Sequence, residues 1–104
     1  MPAYSIVGVT VKDPQLFQQY IDGHKSTLAK FGGKFLVAGN EFDVIEGAWP
    51  GQVVVIHKWP DRTAFHAWYD SDDYRPWEEI RFAAASANVV LIDGLPVEVG
   101  EDAE

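Results

Sequence analysis

At 104 residues the chain has room for one domain built around one modest core, small enough that a partner subunit would add much of the buried surface. Its formal charge of −8, with the eight Lys and Arg scattered rather than striped, opposes phosphate backbones and anionic lipid surfaces, so neither nucleic acid nor a membrane is an expected partner. There is no cysteine, no apolar run long enough to cross a bilayer and no signal-peptide pattern at the N-terminus, which makes the cytoplasm the expected compartment.

The first element runs from Tyr4 to Val11, alternating so that Val7, Val9 and Val11 share one face and Tyr4, Ile6 and Thr10 the other. Both faces are therefore largely apolar or aromatic. Asp13-Pro14, a cap followed by proline at the first helical position, opens a helix to about Lys30, with Phe17, Tyr20, His24, Leu28 and Phe31 as its inner stripe. Gly32-Gly33 ends it, because glycine takes the left-handed conformation that closes a helix without a steric penalty.

Lys34 to Ala38 is the second strand, and Gly39-Asn40 turns into Phe42 to Glu46, read as a short strand or strand extension. After a loop from Gly47 to Gly51, residues 53 to 59 form the third strand. Asp61 caps a helix from 61 to 69 on which Ala64, Phe65 and Trp68 share a face. Ser71 or Asp70 offers a cap for a further helix from Tyr74 to Ser86, with Pro76 in its first turn, where a missing amide costs least. Ala87 to Asp93 is the last strand, stopped by Asp93-Gly94. Residues 1 to 95 thus make one domain, and 96 to 104, with Glu98, Glu101, Asp102 and Glu104, an acidic tail expected to be solvated and mobile.

The order β-α-β-β-α-β is that of the ferredoxin-like split unit, an α+β fold whose antiparallel sheet carries its helices on one face. The other face would expose Tyr, Ile and Val, unfavourable by roughly 25 cal/mol for each Å² left wet. Two such faces packed together remove the penalty, so a homodimer joined through its sheet faces is expected. The fourteen Phe, Tyr and Trp residues exceed what one small core takes, so some are expected to line a cavity or interface.

Several segments together resemble the DUF1330 proteins, a family of unknown function within the dimeric α+β barrel group. They are Tyr4 to Val11 with Asp13-Pro14; Tyr20 with Thr27-Leu28-Ala29 and Gly32-Gly33; Glu46-Gly47 with Trp49-Pro50; Trp59-Pro60; Ala67-Trp68-Tyr69-Asp70-Ser71 with Tyr74; and Leu91-Ile92-Asp93-Gly94. The resemblance implies the barrel and the dimer, and little chemistry. Two departures stand out: His24-Lys25 where relatives often place an apolar residue and proline, and Ala38 where they often carry an arginine. The first adds a polar group to an inner stripe; the second removes an anion-binding candidate.

Two histidines are the catalytic candidates. His24, between Tyr20 and Leu28 on the inner stripe, reads as a general base or pocket hydrogen-bonder, or else as a core histidine bonded to a nearby hydroxyl or carbonyl, the commoner arrangement for a lone histidine. His57, in phase with Val55 and Trp59, belongs to the helix-covered face or to the barrel interior, a choice the short apolar run leaves open. His66 falls on the outer side of its helix. No His, Asp or Glu spacing suits a metal, and nothing visible requires a cofactor. Tyr69 and Tyr74 border either a ligand pocket or simply the capped junction between helices.

The leading expectation is a homodimer that binds a small apolar or aromatic molecule between sheet and helices, in a pocket of Tyr4, Ile6, Tyr20, His24, Trp68, Tyr69 and Tyr74. One alternative is a cofactor-independent enzyme of oxygenase or isomerase type acting on an aromatic or quinone-like substrate, with His24 or His57 as base. The other is a purely structural association module, in which side chains fill that space.

Overall fold

The computed structural model describes residues 1–96, so the expected acidic tail lies, past its first residue, outside the described residues. The elements are β1 (Ala3–Val11), α1 (Pro14–Lys30), β2 (Lys34–Gly39), β3 (Val53–Trp59), α2 (Arg62–Tyr69), α3 (Arg75–Ala84) and β4 (Ala85–Asp93). The strands form one four-stranded antiparallel sheet in the order β2-β3-β1-β4, the ferredoxin-like α+β arrangement expected from the sequence.

Local chemistry sets the element ends. The Asp13 side chain accepts from the Leu16 amide at 3.1 Å, and Asp61 accepts from Ala64 at 2.8 Å, so each carboxylate satisfies one of the free amides that open a helix. At the far end of α1, Gly32 takes φ +88°, a value that a side chain would strain. The Gly33 amide then donates to the Leu28 carbonyl at 3.0 Å.

Three local readings are corrected. Phe42 to Glu46 forms no strand; residues 40–52 make an irregular strap between β2 and β3. Its period-two pattern would pair on the free edge of β2, but Phe42 and Trp49 instead border one hollow with Val37 and Val54, so apolar packing on the sheet replaces a ladder. The strap then crosses β1 at Gly8, where a Cβ would lie 2.0 Å from the Pro50 carbonyl oxygen. Next, the last strand begins at Ala85 rather than Ala87. The alanines at this junction have no strong preference, and the pairs Val11↔Ala85 and Thr10↔Ser86 extend the β1 ladder. Finally, Ser71 caps a turn rather than α3: its hydroxyl donates to the Trp68 carbonyl at 2.7 Å and accepts from the Tyr74 amide at 3.1 Å, while α3 starts at Arg75 with no side-chain cap.

The two faces of the sheet differ. Ala3, Ser5, Val7 and Val9 of β1 and His57 and Trp59 of β3 are buried on the helix-covered face. Tyr4, Ile6, Ile56, Val90 and Ile92 occupy the other, where Val90 is 58% and Ile92 55% exposed. On the covered side α2 lies against β1, β3 and β4, whereas α1 leans on α3 rather than on the strands. That contact is close because residue 23 is glycine: a Cβ there would sit 2.2 Å from the Trp77 ring. With α1 held off the sheet by α3, space remains beneath it.

Candidate functional site

The space under α1 is a cavity of about 1080 Å³, in the range of small-molecule sites. Its floor is the covered face of the sheet, with Ser5, Val7, Val9, Val55, His57 and Val89; its roof is α1, with Phe17, Tyr20, Ile21 and His24. Phe35 of β2, Trp68 and Tyr69 of α2 and Arg81 of α3 close the sides. Six aromatic rings contact one another in a closed circuit. Tyr20 stacks on His24 at 4.1 Å, Phe35 meets His24 at 5.6 Å and His57 at 4.8 Å, and Trp68 lies 6.2 Å from His57 and 4.0 Å from Tyr74, which returns to Tyr20 at 6.3 Å. Such offset and edge-on pairs give a stiff apolar wall.

The polar atoms in that wall have fixed roles. On the floor, the Trp59 indole donates from Nε1 to the Ser5 hydroxyl oxygen at 2.9 Å, and the same oxygen stands 2.8 Å from His57 Nδ1. Indole nitrogen only donates, so it occupies a lone pair of Ser5; the Ser5 proton, fully buried, then has His57 Nδ1 as its acceptor. His57 therefore carries its own proton on Nε2, which is buried and has no partner within the protein. Burial, and secondarily the nearby His24, push the His57 pKa down to about 4, so the ring is neutral at pH 7.

His24 has the opposite polarity. Its Nδ1 lies 2.7 Å from the Tyr20 carbonyl oxygen, which can only accept, so the proton sits on Nδ1 and Nε2 keeps its lone pair. Burial lowers its pKa as well, against the backbone bonds that raise it. The roof thus offers an acceptor able to take a proton from a hydroxyl, whereas the protonated nitrogen of His57 is sealed within the floor.

The third polar group is Arg81. It is 7% exposed, and its Nη1 donates to the Tyr74 hydroxyl at 3.3 Å, which in turn lies 2.8 Å from the Tyr20 hydroxyl. Burial pushes both phenols above their ordinary pKa, so both stay protonated. Burial alone would lower the Arg81 pKa, but the phenol oxygens of Tyr74, Tyr20 and Tyr69 more than offset it and the guanidinium stays charged. Its Nε has no partner, and among the described residues it joins no salt bridge.

Of the residues expected to line a pocket, Tyr20, His24, Trp68 and Tyr69 come together around this cavity. Tyr4 and Ile6 do not: they alternate with Ser5 and Val7 and point from the opposite face of the sheet. Tyr74, fully buried, stands behind the wall, supporting Trp68 and Tyr20 and accepting from Arg81. His57 takes the helix-covered face, the choice that the sequence left open, and His66 is exposed. Ser5 and Arg81 are functional groups the sequence reading passed over. Ser5 is in phase with Val7 and Val9, and Arg81 falls at helical spacing between Trp77 and Ala84, so each was a polar residue on an apolar stripe. Among the described residues no group of three or more His, Asp or Glu could hold a metal ion, and no helix is long and apolar enough to cross a membrane.

The model of the family described as Domain of unknown function (DUF1330) matches residues 2–95. No curated protein matches the chain. Among solved structures, a protein of unknown function from Rhodopseudomonas palustris superposes with a TM-score of 0.77 at 17% identity, covering 92% of this chain and 84% of that one. SnoaB, a cofactor-independent oxygenase from Streptomyces nogalater, superposes with a TM-score of 0.69 at 16% identity, covering 93% of this chain and 96% of that one. At these identities the likeness is one of fold alone.

Proposed function

We propose that this chain, which belongs to the DUF1330 family, is a homodimeric protein that binds a small apolar or aromatic molecule between α1 and the sheet. The observation that carries the reading is the cavity of about 1080 Å³, apolar over most of its wall and set with a few polar groups of defined role. A module serving assembly alone would gain from filling this space, since unfilled volume in a core is destabilising. The dimer is formed through the uncovered face of the sheet, where Ile6, Ile56, Val90 and Ile92 would otherwise meet water.

A second reading, a cofactor-independent enzyme acting on an aromatic or quinone-like substrate, is favoured by the lone pair that His24 Nε2 keeps in the cavity wall. In it His24 Nε2 takes the proton of a substrate hydroxyl, while Ser5 holds the neutral His57 ring in the floor. His57, with Nδ1 taken by Ser5 and Nε2 protonated, has no free lone pair with which to act as a base.

A thermal-shift screen with small phenols, quinones and keto acids tests the binding reading. A ligand that prefers the folded state raises the unfolding midpoint with concentration. We expect members of at least one of these classes to do so; if none raises the midpoint, the binding reading is wrong.

A further inference from the structure

The cavity wall reverses the charge balance of the chain. The sequence holds 16 Asp and Glu against 8 Lys and Arg, yet the lining includes Lys25 and Arg81 and no carboxylate. Lys25 is exposed, whereas Arg81 is buried with its Nε unpartnered. A guanidinium cannot shed its proton to escape burial, so its charge must be answered by dipoles or by an anion. The dipoles at hand are the phenols of Tyr74, Tyr20 and Tyr69, and the hydrogen bond to Tyr74 is long at 3.3 Å. Glu78 lies one turn earlier on α3, but it forms no salt bridge with Arg81, is not part of the cavity wall, and leaves its own Oε2 unpartnered.

We propose that the cavity holds an apolar, ring-bearing acid whose anionic oxygen rests on the Arg81 guanidinium. This rests on the binding reading above and names the ligand class for the same site. Arginine suits the task, because its planar fork of donors matches a carboxylate or an enolate, and its stem leaves the rest of the ligand in apolar contact. The surrounding rings, Tyr20, Phe35 and Trp68 among them, offer flat surfaces to an aromatic body. Lys25 adds an exposed positive charge to the lining, which offsets the repulsion that a chain of −8 exerts on an anion.

The test is a calorimetric titration of the full chain with 2-naphthoate and with its neutral isostere 2-naphthamide, at neutral pH. The acid is expected to bind about tenfold tighter than the amide, or better, as a charge-assisted contact in a buried site should give. The Arg81→Met variant is expected to shrink that ratio to about twofold or less, and Arg81→Lys to keep part of it. Should Arg81→Met fail to fold, the wild-type ratio decides alone. Equal binding of acid and amide by the wild-type chain would overturn the proposal while leaving the cavity reading intact. Binding of neither would overturn both.

Discussion

Ser5 and His57 stand directly opposite each other in the antiparallel register of β1 and β3, and the Ser5 hydroxyl oxygen lies 2.8 Å from His57 Nδ1. Trp59, two residues along β3, donates to the same oxygen, so a serine that would otherwise be an isolated buried hydroxyl decides which nitrogen of His57 carries a proton.

It follows that the two buried histidines are opposite tautomers. A long-range ¹H–¹⁵N spectrum at pH 7 should show His57 protonated on Nε2 and His24 protonated on Nδ1. Finding both in the same form would contradict the donor accounting that the site depends on.

Stability should fall as the solution is acidified. The folded pKa of His57 is about 4 against an ordinary value of 6.5, so below pH 6.5 the unfolded chain takes up a proton that the folded chain refuses. The contribution is whole above about pH 6.5, shrinks as the pH falls, and is gone near pH 4; at 1.36 kcal/mol per unit it amounts to about 3 kcal/mol. His24, whose pKa is also lowered by burial, acts in the same direction. Urea midpoints of wild type and His57→Gln between pH 7.5 and 4.5 check this: the variant should show the shallower loss.

Gly23→Ala should destabilise the chain although alanine is the better helix former. The new Cβ would lie 2.2 Å from the Trp77 ring, forcing α1 and α3 apart. Overpacking of this kind costs about 1–3 kcal/mol, against about 1 kcal/mol gained in helix propensity. A lowered urea midpoint is the expected reading, and adding Trp77→Leu to Gly23→Ala should recover part of the loss.

Most of the fold was legible because periodicity and caps agreed along the chain. Asp13-Pro14 and Asp61 mark the starts of α1 and α2, Gly32 marks the close of α1, and the apolar run at 53 to 59 coincides with β3. Phe42 to Glu46 was misread because the alternation of Phe42, Asp43 and Val44 has the strand period, and a period does not reveal whether a partner strand is there. The site was only half legible. Tyr20, His24 and Trp68 announce themselves on amphipathic helices, whose inner face is fixed by the sequence. Tyr4 and Ile6 lie on the uncovered face, as their alternation with Val7 and Val9 implied, and the sheet itself separates them from the cavity whose lining they were expected to join. Arg81 was missed because a charged residue on an inner stripe is normally set aside as an exception, whereas here it lines the cavity.

Val90→Lys should separate the proposed dimer without unfolding the subunit. Val90 is 58% exposed in the isolated chain and pairs with Ile6 on the uncovered face, so two such faces would bring like charges close together. Sedimentation equilibrium should give a dimer mass for wild type and a monomer mass for the variant, each with the circular dichroism of a folded chain. A monomeric wild type at micromolar concentration would contradict the proposed assembly.

The cavity beneath α1 is tested most directly by valine-methyl NMR during titration with 2-naphthol. The account predicts that the methyl signals of Val9, Val55 and Val89, on the covered face, shift in a saturable way while those of Val54 and Val90, on the other face, stay in place. Saturable shifts confined to Val54 and Val90, or no shift at either face, would contradict it.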